Sequence, residues 1–133
     1  MSKKVLILCT GNSCRSIISE ALINAELKGI TAESSGVKAS GKVNPNAIKL
    51  LKEVGIWKDT YYSKTLDTVI GNHYDLVVTV CDNAKETCPM FPKLMKITHI
   101  GFEDPDGKAY EAFEKTLVEI RERLLPVIKK ELI

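Results

Sequence analysis

The chain reads as an α/β protein, a three-layer arrangement with a central parallel four-stranded sheet and helices on both faces. Three observations predict this. Lys3 to Leu8 and Asp75 to Val80 are near-continuous apolar runs, as expected of strands buried on both faces. Segments between and after them carry apolar residues at helical spacing. The two kinds of segment alternate, which implies a parallel sheet with covered faces. The 133 residues fit one domain, 1–133, long enough to bury its own core.

The elements follow in order. After the first strand comes a small, polar stretch, Cys9-Thr10-Gly11-Asn12-Ser13-Cys14-Arg15-Ser16. Ile17, Ile18, Ala21, Leu22 and Ala25 then recur at helical spacing, and Gly29 closes the segment. Thr31 to Ser35 reads as a short strand ended by Gly36. Asn44-Pro45 is a helix start, an N-cap residue followed by Pro at the first helical position. Ala47, Ile48, Leu50, Leu51 and Val54 give that helix its apolar face, and Gly55 fits its C-cap. A weaker helical pattern covers Thr65 to Ile70. Lys85 to Pro92 is irregular, with two prolines, and Met95 to His99 reads as the last strand. Gly101 to Gly107 is loop. Phe113, Leu117, Ile120, Leu124 and Val127 or Ile128 form a final amphipathic stripe, which Pro126 should kink or shorten.

Composition excludes several function classes. Lys plus Arg total 19 and Asp plus Glu 17, with no long run of like charge, so no nucleic-acid partner is expected. No apolar run approaches the roughly 20 residues of a membrane span. Val5 to Cys9 is too short for a signal h-region, which makes the reducing cytoplasm the expected location. Four cysteines there point to catalysis, redox chemistry or metal binding rather than a static disulfide framework.

Cys9 and Arg15 enclose five residues between a strand and a helix. A loop of small residues lets successive backbone N–H groups of Thr10, Gly11, Asn12, Ser13 and Cys14 turn toward a tetrahedral oxyanion. The following helix adds its positive end. The planar Arg15 fork can hold two oxygens. That positive field favours a nucleophilic thiolate at Cys9. Asn12 suits a left-handed position in the tight loop, and Ser16 offers a hydroxyl to the sulfur. In a parallel sheet, ligands bind beyond the carboxyl ends of the strands, which places Cys9 and Cys81 on one edge.

Cys81 and Cys88 flank six residues. Seven helical steps rise about 10.5 Å, whereas a disulfide needs Cα atoms roughly 4.4–6.8 Å apart. The pair can therefore bridge only if the segment loops or unwinds. A zinc site using all four cysteines is the competing reading. Its C-x4-C and C-x6-C spacings fit structural zinc poorly, and it leaves Arg15 without a role.

The loop Cys9 to Ser16 resembles that of the low-molecular-weight tyrosine phosphatase superfamily, in which a second cysteine before the Arg is common. Cys14 is then a small space-filling residue. Val77 to Pro92 resembles the redox segment of the superfamily's thioredoxin-coupled arsenate reductases, and the likeness covers nearly the whole chain. It implies reduction of arsenate to arsenite by Cys9, then Cys81, then Cys88, with thioredoxin reducing the final disulfide. It also implies that Asp104, before Pro105, is the general acid that protonates a departing oxygen. Glu103 and Asp106 are the neighbouring decoys. The alternative within the same superfamily is a phosphatase using Cys9, Arg15 and Asp104. Asp106-Gly107-Lys108 follows where such phosphatases usually carry aromatic residues, which favours a small inorganic oxyanion.

Some members of that reductase family bind potassium through residues aligned with Asn12, Glu20, Ser35 and the region near Ser63. Tyr62 and Lys64 stand here where those members tend to have Thr and Asp, and a positive Lys64 opposes a cation. No metal or cofactor is expected. His73 and His99 are expected to be solvated or structural, and Trp57, Tyr61 and Tyr62 to cover the sheet or a helix end. The chain is expected to work as a monomer.

Overall fold

The structure, a computed structural model, describes residues 3–81 and 96–132. Its elements run β1 (Lys3–Cys9), α1 (Arg15–Glu26), β2 (Ile30–Gly36), α2 (Pro45–Glu53), a single 3-10 turn (Leu66–Thr68), β3 (Leu76–Thr79), β4 (Ile97–His99) and α3 (Tyr110–Leu132). The four strands form one parallel sheet in the order β2-β1-β3-β4. Strand order reverses direction between β1 and β3. Beyond their carboxyl ends lies the crevice where such sheets bind ligands.

Period-two alternation divides the core between the two faces. Val5, Ile7, Val78 and Val80 pack with residues of α1, α2 and α3, among them Ile18, Leu22, Leu51, Phe113 and Ile120. Leu6, Leu8 and Val77 face the other way, against Val69 and Tyr74, with Leu66 and Ile70 of the 3-10 region over them. Burial of Val5 through Leu8 on both faces accounts for the unbroken apolar run in β1. Arg121 of α3 grips Glu26 of α1 with contacts of 2.7 to 3.2 Å, so the last helix is tied to the first by charge as well as packing.

Local sequence chemistry sets the boundaries of α2. Asn44 caps it, accepting from Asn46 N at 2.9 Å, and Pro45 stands at the first helical position. Gly55 follows with φ 78°, a left-handed conformation that suits glycine. The Thr65–Ile70 pattern resolves into the shorter 3-10 turn. α3 differs from expectation, because it runs unshortened through Pro126. Pro126 is exposed, so the carbonyl that loses its helical partner faces water rather than the core. The irregular reading of 85–92 and the residue Met95 lie outside the described residues.

The end of β2 approaches the loop after β1 closely. Cys9 is level with Gly36 in the register. A Cβ on Gly36 would meet Thr10 O at 2.5 Å and Asn12 N at 3.0 Å, both backbone atoms that cannot swing away. Gly36→Ala is therefore expected to destabilise the protein by about 1–3 kcal/mol through overpacking. Urea unfolding should show a lowered midpoint with an unchanged slope. A midpoint equal to that of the parent would contradict the close approach.

Candidate active site

β1 delivers Cys9 to the floor of a cavity of about 240 Å³. Residues 9–15 form that floor, and Ser40, Asp104 and Asp106 complete the wall. The loop carbonyls are held from outside. Lys38 N donates to Thr10 O, Ser40 N to Gly11 O and Asn44 N to Ser13 O, at 2.9 to 3.0 Å. A peptide's N–H points opposite to its C=O, so these bonds turn the amides of Gly11, Asn12 and Cys14 toward the cavity side. Asn12 N indeed donates to Cys9 Sγ at 3.2 Å. These amides have the orientation an anion cradle requires, and the residues that brace the loop come from the chain after β2.

Asn12 is fully buried and has φ 49°, the left-handed conformation that Asn tolerates. Its amide oxygen accepts from Lys64 N at 2.8 Å. That fixes the orientation of the amide, whose Nδ2 donates to Ser16 Oγ at 2.7 Å and Ser34 Oγ at 3.0 Å. With its lone pair so engaged, Ser16 can direct its proton at Cys9 Sγ, 3.0 Å away. Ser34 passes its own proton to Glu20 Oε1 at 2.6 Å. A buried chain thus runs from Glu20 through Ser34, Asn12 and Ser16 to the sulfur.

Glu20 is pushed up to about 7 from its ordinary 4.5, chiefly because burial penalises the charged carboxylate. The Ser34 hydrogen bond and the Lys64 charge act in the opposite direction. Lys64 is itself buried, with its ammonium 4.6 Å from the centre of the Tyr62 ring. The cationic partner near Glu20 is therefore a side chain of this protein. Cys14 is buried too, and desolvation pushes its thiol up to about 12. It packs inside the loop, 3.6 Å from Ser13 Oγ.

Arg15 opens α1 and is 3 % exposed, which rules out a mere surface role. Its Nη1 donates to Phe102 O at 3.1 Å, and its Nη2 lies 3.6 Å from Asp104 Oδ2. The half-exposed Asp104 is also held by Asp106 N, which donates to its Oδ1 at 3.0 Å. Of the two decoys, Glu103 pairs with Lys108, whereas Asp106 lines the cavity beside Asp104. Ser40 and Ser34 belong to the site although sequence reasoning assigned them nothing, and Asp106 belongs to it although it was read as a decoy. Ser34 carried one readable signal, since it lies two residues before the glycine that ends its strand.

Cys81 follows β3 and is fully buried and disulfide-bonded, while Cys9 and Cys14 are free thiols. The register sets Leu8 opposite Thr79, so Cys81 lies one residue beyond the level of Cys9 on the adjacent strand. The alternation that turns Val78 and Val80 to the Cys9 face would turn Cys81 to the other. Cys88 lies outside the described residues. His99 Nδ1 contacts Thr79 Oγ1 at 2.7 Å, a structural placement, and Trp57 and Tyr61 pack edge to face on the main core. Tyr62 departs from expectation. It is 56 % exposed and covers Lys64 rather than the sheet, because the Lys64 ammonium gains a ring face there.

Residues 4–132 match the family profile of the low molecular weight phosphotyrosine protein phosphatases. The chain belongs to that family. An arsenate reductase from Bacillus cereus (strain 03BB102) is 44 % identical over 123 residues, covering 92 % of this chain and 91 % of the relative. The crystal structure of arsenate reductase from Archaeoglobus fulgidus superposes with a TM-score of 0.84 at 35 % identity, covering 94 % of this chain and 98 % of that one. A thioredoxin-dependent arsenate reductase from Corynebacterium glutamicum gives a TM-score of 0.70 at 26 % identity, over 98 % of this chain and 62 % of that chain. Among the described residues, no helix of this family member is long and apolar enough to cross a membrane, and no cluster of three His, Cys, Asp or Glu could hold a metal ion.

The buried carboxyl of Glu20 makes a pH-dependent contribution. The native state binds its proton more tightly than the unfolded chain does. The stability it contributes is thus lost as pH rises from about 4.5 through about 7. Glu20→Gln keeps an acceptor for Ser34 and removes the charge. The melting temperature of this variant, relative to the parent, is expected to rise between about pH 5 and about pH 8. A difference that stays flat over that window would contradict the assignment.

Proposed function

We propose that the protein reduces arsenate to arsenite, with Cys9 as nucleophile and a dithiol protein of the thioredoxin class as the final reductant. One observation carries the oxyanion chemistry. The Cys9 sulfur sits under donors from Asn12 and Ser16 at the floor of a cavity that Arg15 and Asp104 also reach. Thr10 to Ser13 supply the amides that cradle the oxygens, Cys14 completes the turn and Ser16 supports the sulfur. What favours reduction over hydrolysis is a second cysteine on the same sheet edge. Cys81 is disulfide-bonded there, one residue beyond the level of Cys9. The likeness to arsenate reductases supports the same reading, and the thioredoxin-dependent relative supports the choice of reductant.

The steps balance as follows. Cys9 thiolate attacks arsenic, Asp104 protonates the departing oxygen, and water leaves. Cys81 thiolate attacks Cys9 Sγ. The S–As bond breaks with its electron pair going to arsenic, so arsenite leaves and a Cys9–Cys81 disulfide forms. Cys88 thiolate attacks Cys81 Sγ and releases Cys9, leaving Cys81–Cys88 for the external dithiol. The relay carries the disulfide away from Cys9, whose recessed pocket a protein partner cannot enter.

Cys9→Ser is expected to abolish arsenite formation. Cys88→Ser should give about one equivalent of arsenite per protein and no sustained turnover with thioredoxin. Arsenite assayed against time, with and without thioredoxin and its reductase, distinguishes these cases. Full multiple turnover by Cys88→Ser would refute the relay. Phosphoester hydrolysis with no arsenite from the parent would assign the site to phosphatase chemistry.

A further inference from the structure

Asn44 has a second role besides capping α2. Three of its polar groups each reach a different part of the molecule. The backbone N–H donates to Ser13 O in the cradle at 3.0 Å. The side-chain oxygen accepts from Asn46 N and caps the helix. That contact fixes the amide so that Nδ2 faces outward, and it donates to Asp106 Oδ1 at 2.6 Å. Asp106 N then donates to Asp104 Oδ1 at 3.0 Å. The start of α2 is therefore bonded to both halves of the site, the cradle below and the carboxylate above.

We propose that Asn44 is the positioning residue for the general acid, holding Asp104 over Cys9 through Asp106. The inference rests on the reading of Asp104 as the acid. The physical need is plain. Asp104 lies on a turn-rich loop and is 49 % exposed. A half-exposed carboxyl on a free loop would sample many positions, and proton delivery depends on a fixed one. The Arg15 guanidinium supplies one constraint, at 3.6 Å from Asp104 Oδ2. The Asn44–Asp106 bond supplies another by stopping the loop from swinging off the cradle. The short, charge-assisted geometry of that bond suits the task.

The helix cap makes the test clean. Asn44→Ser and Asn44→Asp both keep a side-chain oxygen for Asn46 N. Ser is too short to reach Asp106, and Asp has no proton to donate to it. The melting temperature of Asn44→Ser should match the parent closely, Asn44→Asp should fall below it because its carboxylate faces that of Asp106, and Asn44→Ala, which loses the cap as well, serves as the stability control. The readout is the single-turnover rate constant of arsenite formation at varied arsenate, in the parent, Asn44→Ser, Asp104→Asn and the double variant. Asn44→Ser is expected to be slower by about tenfold at saturating arsenate, with half-saturation unchanged because the cradle is intact. In the Asp104→Asn background the same substitution should cost nothing further. A parental rate for Asn44→Ser would overturn the proposal, as would an equal loss in both backgrounds. A parental rate for Asp104→Asn, or no arsenite from the parent, would instead overturn the reading on which the proposal rests.

Discussion

The site depends on one buried amide. Asn12 holds a left-handed backbone conformation, and its amide satisfies Lys64 N, Ser16 and Ser34 at once while its own N–H meets Cys9 Sγ. A left-handed turn here brings the peptide chain around the sulfur, and the side chain locks the turn to β2 and to the segment before the 3-10 turn. Each group would be costly to bury without its partners. The requirement spreads outward. Ser34 must be a hydroxyl because it relays to Glu20. Gly36 must lack a Cβ because β2 passes so near. The backbone of Lys38, Ser40 and Asn44 must lie where the loop carbonyls need donors.

The fold supplies the edge on which this loop sits. β1 lies between β2 and β3, and its carboxyl end opens at the point where strand order reverses. Cys9 is therefore flanked by Gly36 on one side and the start of the Cys81 segment on the other. The two neighbours have opposite characters. The β2 side is fixed by the Asn12 network. On the β3 side, the strand ends at Thr79 and the buried Cys81 lies just beyond. The arrangement suits a chemistry in which the oxyanion pocket stays rigid while a second thiol comes to it. Arg15 links the pocket to Phe102 and Asp104, so the loop that carries Asp104 is anchored to the start of α1 as well.

Much of this was legible in the sequence. β1 is a continuous apolar run because both faces of the central strand are covered. Asn44-Pro45 marks the start of α2 through local capping chemistry. Cys9, Arg15 and the small residues between them announce an anion loop because few other uses need that combination. The hidden parts all require knowledge of what lies across space. Ser34 looks like any strand serine until β2 pairs with β1 and places it beside Asn12. Asn44 reads completely as a helix cap, and its contact with Asp106 spans 62 residues of sequence. Tyr62 looks like core and is exposed, because Lys64 takes its ring face. Pro126 reads as a break, yet its solvent-facing position lets α3 continue. Pattern reports what a residue can do locally, whereas these outcomes depended on which neighbour arrived.

The most direct test of the account is a disulfide map after one turnover. Fully reduced protein is mixed with arsenate without oxygen, remaining thiols are alkylated, and the linked peptides are identified by mass. The account predicts an arsenate-dependent Cys81–Cys88 bridge with Cys9 and Cys14 both alkylated. Four alkylated cysteines after exposure to arsenate, in protein that hydrolyses a phosphoester, would contradict it.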